Sequence, residues 1–116
     1  MSGAGLSDHE LEMLRMVFHH VPNIKEVLLF GSRAKGSHRP ESDVDLALVG
    51  VADNLIAEAV AEALESLPLP YRFDVKAFDE IEYAPLLAHI KRVGVSIYKR
   101  AEQDQFENRR QLAEPS

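Results

Sequence analysis

The sequence predicts a small mixed α/β domain: a sheet of about four strands with helices packed on it. Three observations predict it. Apolar residues recur at helical spacing in separate stretches, short apolar or alternating runs lie between those stretches, and glycine or proline marks most of the junctions.

Ser7 and Glu10 form a capping-box pair ahead of Leu11, Leu14, Val17, Phe18 and Val21, so a helix is predicted from Ser7 to His20, ended by Pro22 and Asn23. Val27-Leu28-Leu29-Phe30 is too short for a helix and fits a strand covered on both faces. Gly31 stops that run, and residues 37–42 read as a polar loop. From Asp43 to Val49 the pattern alternates, with Val44, Leu46 and Leu48 on one face and Asp43, Asp45 and Ala47 on the other. Asp53 is placed to cap a helix reaching Ser66, with Ile56, Val60, Ala63 and Leu64 inward and Glu58, Glu62 and Glu65 outward. Beyond the Pro68–Pro70 break, Arg72 to Phe78 alternates as a third strand, and Asp79 and Glu80 read as turn residues. Pro85 suits the first turn of a last helix, Gly94 its end, and Val95–Tyr98 a fourth strand.

A chain of 116 residues, 46% hydrophobic and 28% charged, suits one globular domain with its own core. Residues 1–100 are expected to form that domain, and 101–116 a polar C-terminal tail, helical on the surface or disordered. Phe106 and Leu112 are the tail's large apolar residues; with Arg109 and Arg110 they could dock a partner or simply fray. The absence of cysteine excludes thiolate metal sites and cysteine nucleophiles. No apolar run approaches the roughly 18 residues of a membrane span. The N-terminus lacks a signal-peptide layout, and a soluble, cytoplasmic protein is expected. A net charge of −6 argues against a broad nucleic-acid footprint while leaving room for a small anion held through a metal.

The chemistry concentrates in Leu29-Phe30-Gly31-Ser32-Arg33-Ala34-Lys35-Gly36 and Ser42-Asp43-Val44-Asp45-Leu46. A glycine after a buried strand lets the backbone turn sharply and approach a ligand. A short helical turn opening at Ser32 and ending at Gly36 presents free N–H groups, and the Ser32 hydroxyl adds a donor for phosphate. Arg33 and Lys35 either neutralise phosphate charge or face solvent. Asp43 and Asp45 project from one face of a strand, about 7 Å apart. Partly desolvated, such a pair repels by on the order of 1–4 kcal/mol, a cost that a divalent cation turns into attraction. Asp74 shares a face with Arg72 and Lys76. If its strand pairs beside the second one, Asp74 completes an acidic cluster; otherwise the three form a solvated ion-pair ladder. His19 and His20 suit a helix C-terminus, His89 a surface position, and Tyr71, Tyr83 and Tyr98 packing or edge roles.

Gly31-Ser32, ten intervening residues and then Asp43-Val44-Asp45 resembles the signature of the DNA polymerase β-like nucleotidyltransferase superfamily. LFGSRAKG and SDVDLAL look like its small stand-alone members, the minimal nucleotidyltransferases or MNT proteins, and the resemblance covers roughly residues 27–75. It implies that Gly31 and Ser32, with Arg33 beside them, hold the triphosphate and that Asp43 and Asp45 hold Mg²⁺. Asp74 takes the place of the third carboxylate, as ligand of a second Mg²⁺ or as general base. The resemblance further implies ATP as substrate, a HEPN-domain toxin as partner, and transfer of AMP to a tyrosine of that toxin. Two other functions stay open at this point: an antitoxin that neutralises its partner by contact, and transfer of a nucleotide to a small molecule.

Overall fold

The computed structural model describes residues 5–36 and 43–100; the loop at 37–42 and the tail at 101–116, with Phe106, Arg109, Arg110 and Leu112, lie outside them. The elements follow the expected order: α1 (Asp8–His19), β1 (Glu26–Phe30), α2 (Ser32–Lys35), β2 (Val44–Val49), α3 (Asn54–Glu65), β3 (Phe73–Ala77), a 3-10 turn (Phe78–Glu80), α4 (Ala84–Val93) and β4 (Val95–Lys99).

Local chemistry sets the helix starts. The Ser7 hydroxyl accepts from Glu10 N at 3.1 Å while Glu10 Oε1 accepts from Ser7 N at 2.9 Å, so the capping box satisfies two otherwise free N–H groups of the first turn. Asp53 caps α3 by accepting from Leu55 N at 2.9 Å. Pro85 sits in the first turn of α4, where a missing N–H costs nothing. The buried residues of α3 are Ala57, Val60 and Leu64, of which Val60 and Leu64 were expected and Ala57 was not. Ile56 and Ala63, also expected inward, are half-buried, and Ile56 packs against the core.

The sheet runs β3-β2-β1-β4. β1 pairs antiparallel with both β2 and β4, with an irregularity in the β4 pairing between Val27 and Leu28. β2 and β3 are parallel, as the intervening α3 requires, since parallel neighbours need a long crossover. Pleating divides the side chains. Val27, Leu29, Val44, Leu46, Leu48, Phe73, Ala77 and Ile97 join Leu11, Leu14 and Phe18 of α1 and Val60 and Leu64 of α3 in the larger core. Phe30 and Ala47 point to the opposite face and pack with Ile90 of α4, supported by Leu28, Phe78, Ile81, Leu86 and Val93. The sheet is therefore covered on both faces, α4 covering only part of the second one. Asp45 lies on this second face with Ala47, near the start of β2 and opposite Phe30.

Two arginines tie the sheet to its surroundings. Arg15 Nε donates to Ile97 O at 2.7 Å, joining α1 to β4. Arg100 donates to the carbonyls of Ile24 and Val21 at 3.0 and 3.1 Å, closing the end of α1 onto the strands. Among the described residues no helix is long and apolar enough to cross a membrane.

Leu46, fully buried at the centre of the sheet, is expected to cost about 2–5 kcal/mol when replaced by alanine. Leu55, 71% exposed on α3, should cost no more than about 0.5 kcal/mol for the same change. Urea denaturation of the two variants measures the difference, and equal losses would show that the core is not centred on β2.

Candidate active site

The site is built where β1 and β2 meet. Antiparallel pairing sets Phe30, the last residue of β1, opposite Asp45, and parallel pairing sets Asp45 beside Asp74. The register thus brings together carboxylates that lie far apart in sequence. Asp43 precedes β2 on the same face and is exposed, Asp45 is half-buried, and Asp74 is exposed.

Gly31 follows Phe30 with φ +78°, a backbone conformation open to glycine and strained for other residues. A Cβ built there would overlap the Asp45 carboxylate. Two independent constraints therefore demand glycine: the turn conformation, and the space that Asp45 occupies against the backbone. The chain then makes the single helical turn α2 and leaves it at Gly36, which is left-handed with φ +77°. Ser32 and Lys35 lie on this turn, Ser32 half-buried and Lys35 exposed.

The electrostatics centre on Asp45. Burial is the main influence pushing its carboxyl above the ordinary carboxylate range, followed by repulsion from Asp74 and then Asp43; Lys76 and His89 oppose the shift. Lys76 Nζ lies 3.7 Å from Asp74 Oδ1, so part of the expected ion-pair ladder forms on the same strand face as the acidic cluster. Both side chains are substantially exposed, which makes this pair weak and readily exchanged. Among the described residues no three His, Asp or Glu side chains form a ready-made metal cage. Mg²⁺ does not require one, since it commonly takes one or two carboxylates plus substrate phosphates. A half-buried carboxylate crowded by two others fits that donor set.

Arg33 departs from the solvent-facing alternative expected for it. It is only 2% exposed, and its guanidinium carbon lies 4.8 Å from the centre of the Tyr71 ring. His89 also departs from the surface role expected of it. It is half-buried, packs edge-to-face on Phe30 at 6.3 Å, and bears electrostatically on Asp45. The signal available was its position between Leu86 and Val93 on the covered face of α4, next to Ile90. Tyr71 and Tyr98 are packing residues, and Tyr83 is 68% exposed.

A mixed four-stranded sheet with a glycine turn and carboxylates converging at one end is the architecture of a nucleotidyltransferase core. Residues 12–103 match the family described as "Polymerase beta, Nucleotidyltransferase", and the chain belongs to that family. A candidate protein adenylyltransferase of Methanocaldococcus jannaschii is 36% identical over 55 residues, covering 47% of this chain and 40% of that one. The match thus spans well under half of the relative's length. Among solved structures, a toxin-antitoxin with AMP-PNP superposes with a TM-score of 0.65 at 20% identity, covering 93% of this chain and 86% of the other. The complex of a tri-AMPylated Shewanella oneidensis HEPN toxin with its MNT antitoxin matches with a TM-score of 0.58 at 19% identity, covering 84% and 75%. At these identities the superpositions establish the fold.

A carboxyl whose folded pKa is raised holds its proton more tightly in the native state. It therefore lowers stability as the pH rises from the unfolded value through the folded one. Asp45→Asn is accordingly expected to raise the melting temperature of the nucleotide-free protein at neutral pH. That gain should fade below about pH 4, where the aspartate is itself protonated in both states. A thermal-melt series across pH in the presence of EDTA measures it; a variant less stable than the parent at pH 7 would contradict the assignment of strain to this carboxylate.

Proposed function

We propose that the chain is a Mg²⁺-dependent nucleotidyltransferase that moves AMP from ATP to a tyrosine hydroxyl of a HEPN-domain protein, and so acts in the cytoplasm as the antitoxin of the pair. The observation that carries this reading is the pairing of Asp45 with Asp74 directly against the Gly31 turn. A glycine turn suited to phosphate and carboxylates suited to a metal therefore lie together, which supports the reading. The names of the similar proteins support the finer terms: one is a candidate protein adenylyltransferase, one a toxin-antitoxin holding an ATP analogue, and one an MNT antitoxin with an AMPylated toxin.

In this reading the Gly31 backbone and the Ser32 hydroxyl bind the triphosphate. Asp43 and Asp45 hold Mg²⁺, which supplies neutralisation of the phosphate charge, and Asp74 is placed for a second ion or for the acceptor proton. Orientation and charge stabilisation account for most of the rate in such transfers. The acceptor oxygen bonds to the α-phosphorus, the bond to the β-phosphate bridging oxygen breaks, and pyrophosphate leaves. The acceptor proton passes to Asp74, whose exposed position leaves it open to the incoming hydroxyl. Lys76 gives up its weak pairing with Asp74 in that state. Arg33, buried within α2, supports the turn that binds the triphosphate.

The Lys76–Asp74 pair also favours a second reading, in which Asp74 is partly neutralised by its own strand and the chain silences its partner by contact alone. Incubating the chain with ATP, Mg²⁺ and a HEPN-domain partner, followed by intact-mass spectrometry, separates the two. The proposal expects one or more AMP additions on the partner, at least about a hundredfold less with Asp43→Asn/Asp45→Asn, and loss of neutralisation with that variant. An unmodified partner that is still neutralised, with the variant as effective as the parent, would decide for the contact reading.

A further inference from the structure

Among the described residues Arg33 is the one buried charged side chain, and an arginine is rarely taken so far from water unless its site repays the desolvation. Its surroundings explain the placement. The guanidinium stacks on Tyr71, and the Tyr71 hydroxyl donates to both oxygens of Glu10 at 3.1 and 3.0 Å. Glu10 is in turn fixed by the capping box of α1. Hydrogen bonding to the Ser7 backbone is the largest influence holding its carboxyl below the ordinary range, with Tyr71 and the positive Arg33 acting the same way against its partial burial.

Tyr71 stands at a junction of the site. Its neighbour Arg72 accepts from Val44 N at 2.9 Å, a bond that fixes the entry of β2 immediately after Asp43. Two residues beyond Arg72 the chain reaches Asp74, already paired with Asp45. On the other side of the stack, Arg33 belongs to α2, the turn that begins one residue after Gly31. The stack therefore links the phosphate turn to the ends of both strands that carry carboxylates, and α1 anchors it.

We propose that Arg33 and Tyr71 are positioning residues whose buried cation–ring stack sets the spacing between the Gly31–Ser32 turn and Asp43, Asp45 and Asp74. This inference rests on the nucleotide-binding reading above. It assigns the arginine's effect to geometry transmitted through the turn. Stability and ligand geometry then respond to different parts of the network: the Tyr71–Glu10 bond serves stability, and the Arg33–Tyr71 stack serves the site.

The test is calorimetric titration of the full chain with Mg²⁺ and AMP-PNP, alongside thermal melts, for Arg33→Lys, Arg33→Met, Tyr71→Phe and Tyr71→Leu. Tyr71→Phe keeps the ring and loses the hydroxyl, so it should melt earlier yet bind within about twofold of the parent. Tyr71→Leu and Arg33→Met should bind about tenfold more weakly at temperatures where they remain folded, with Arg33→Lys in between because it keeps the charge without the plane. If Arg33→Met does not fold, the Phe and Leu variants at position 71 carry the comparison. Parent-like affinity in folded Tyr71→Leu would overturn the inference, as would equal weakening by Phe and Leu. A parent chain that binds no nucleotide would instead remove the reading on which the inference rests.

Discussion

The contact on which the site depends is the Asp45 carboxylate lying against the backbone of Gly31. It exists because β1 and β2 run antiparallel in a register that ends β1 opposite Asp45, and because residue 31 has no side chain to fill the space. A carboxylate in that position is half-buried and crowded by Asp74 and Asp43, an arrangement that costs stability in the protein alone. Crowding of this kind is best relieved by a cation that arrives with its own phosphates. The fold thus holds in place an unfavourable cluster, which in the proposed function a bound cation and nucleotide would make favourable, as sites that violate local stability rules commonly do.

The rest of the molecule serves to hold that register. The larger core beneath the sheet fixes β2 between β1 and β3 through Val44, Leu46 and Leu48, while Phe30, Ala47 and Ile90 fix the other face under α4. Slippage by one residue would turn Asp45 into the larger core and Leu46 out of it, so burial specifies the alignment strongly. Arg33, on the turn, is joined through Tyr71 to Glu10 of α1.

Much of this was legible in the sequence, for physical reasons. Caps are local, so Ser7 with Glu10 and Asp53 marked helix starts that the structure reproduces. The alternation of Val44, Leu46 and Leu48 against Asp45 and Ala47 assigned the faces of β2 correctly because the strand is covered on one side by a continuous core. The meeting of Asp45 with Asp74 could be stated only as a condition, since strand pairing is non-local and no spacing encodes it. Arg33 was illegible: an arginine in a polar turn reads as exposed, and its burial depends on a tyrosine from a distant loop. His89 was misread for a similar reason, since its neighbour Phe30 is reached only once α4 lies across β1. What sequence misses here is contact between elements, and both misses lie within or beside the site.

The central claim is that the carboxylates and the Gly31 turn form one site whose stored repulsion is relieved by a cation and a nucleotide together. The most direct measurement is the affinity of the full chain for an ATP analogue with Mg²⁺ and with EDTA. Binding is expected to be at least about tenfold tighter with the cation, with most of that difference lost in Asp45→Asn. Equal affinity in the two buffers, or a cation effect untouched by the substitution, would contradict it.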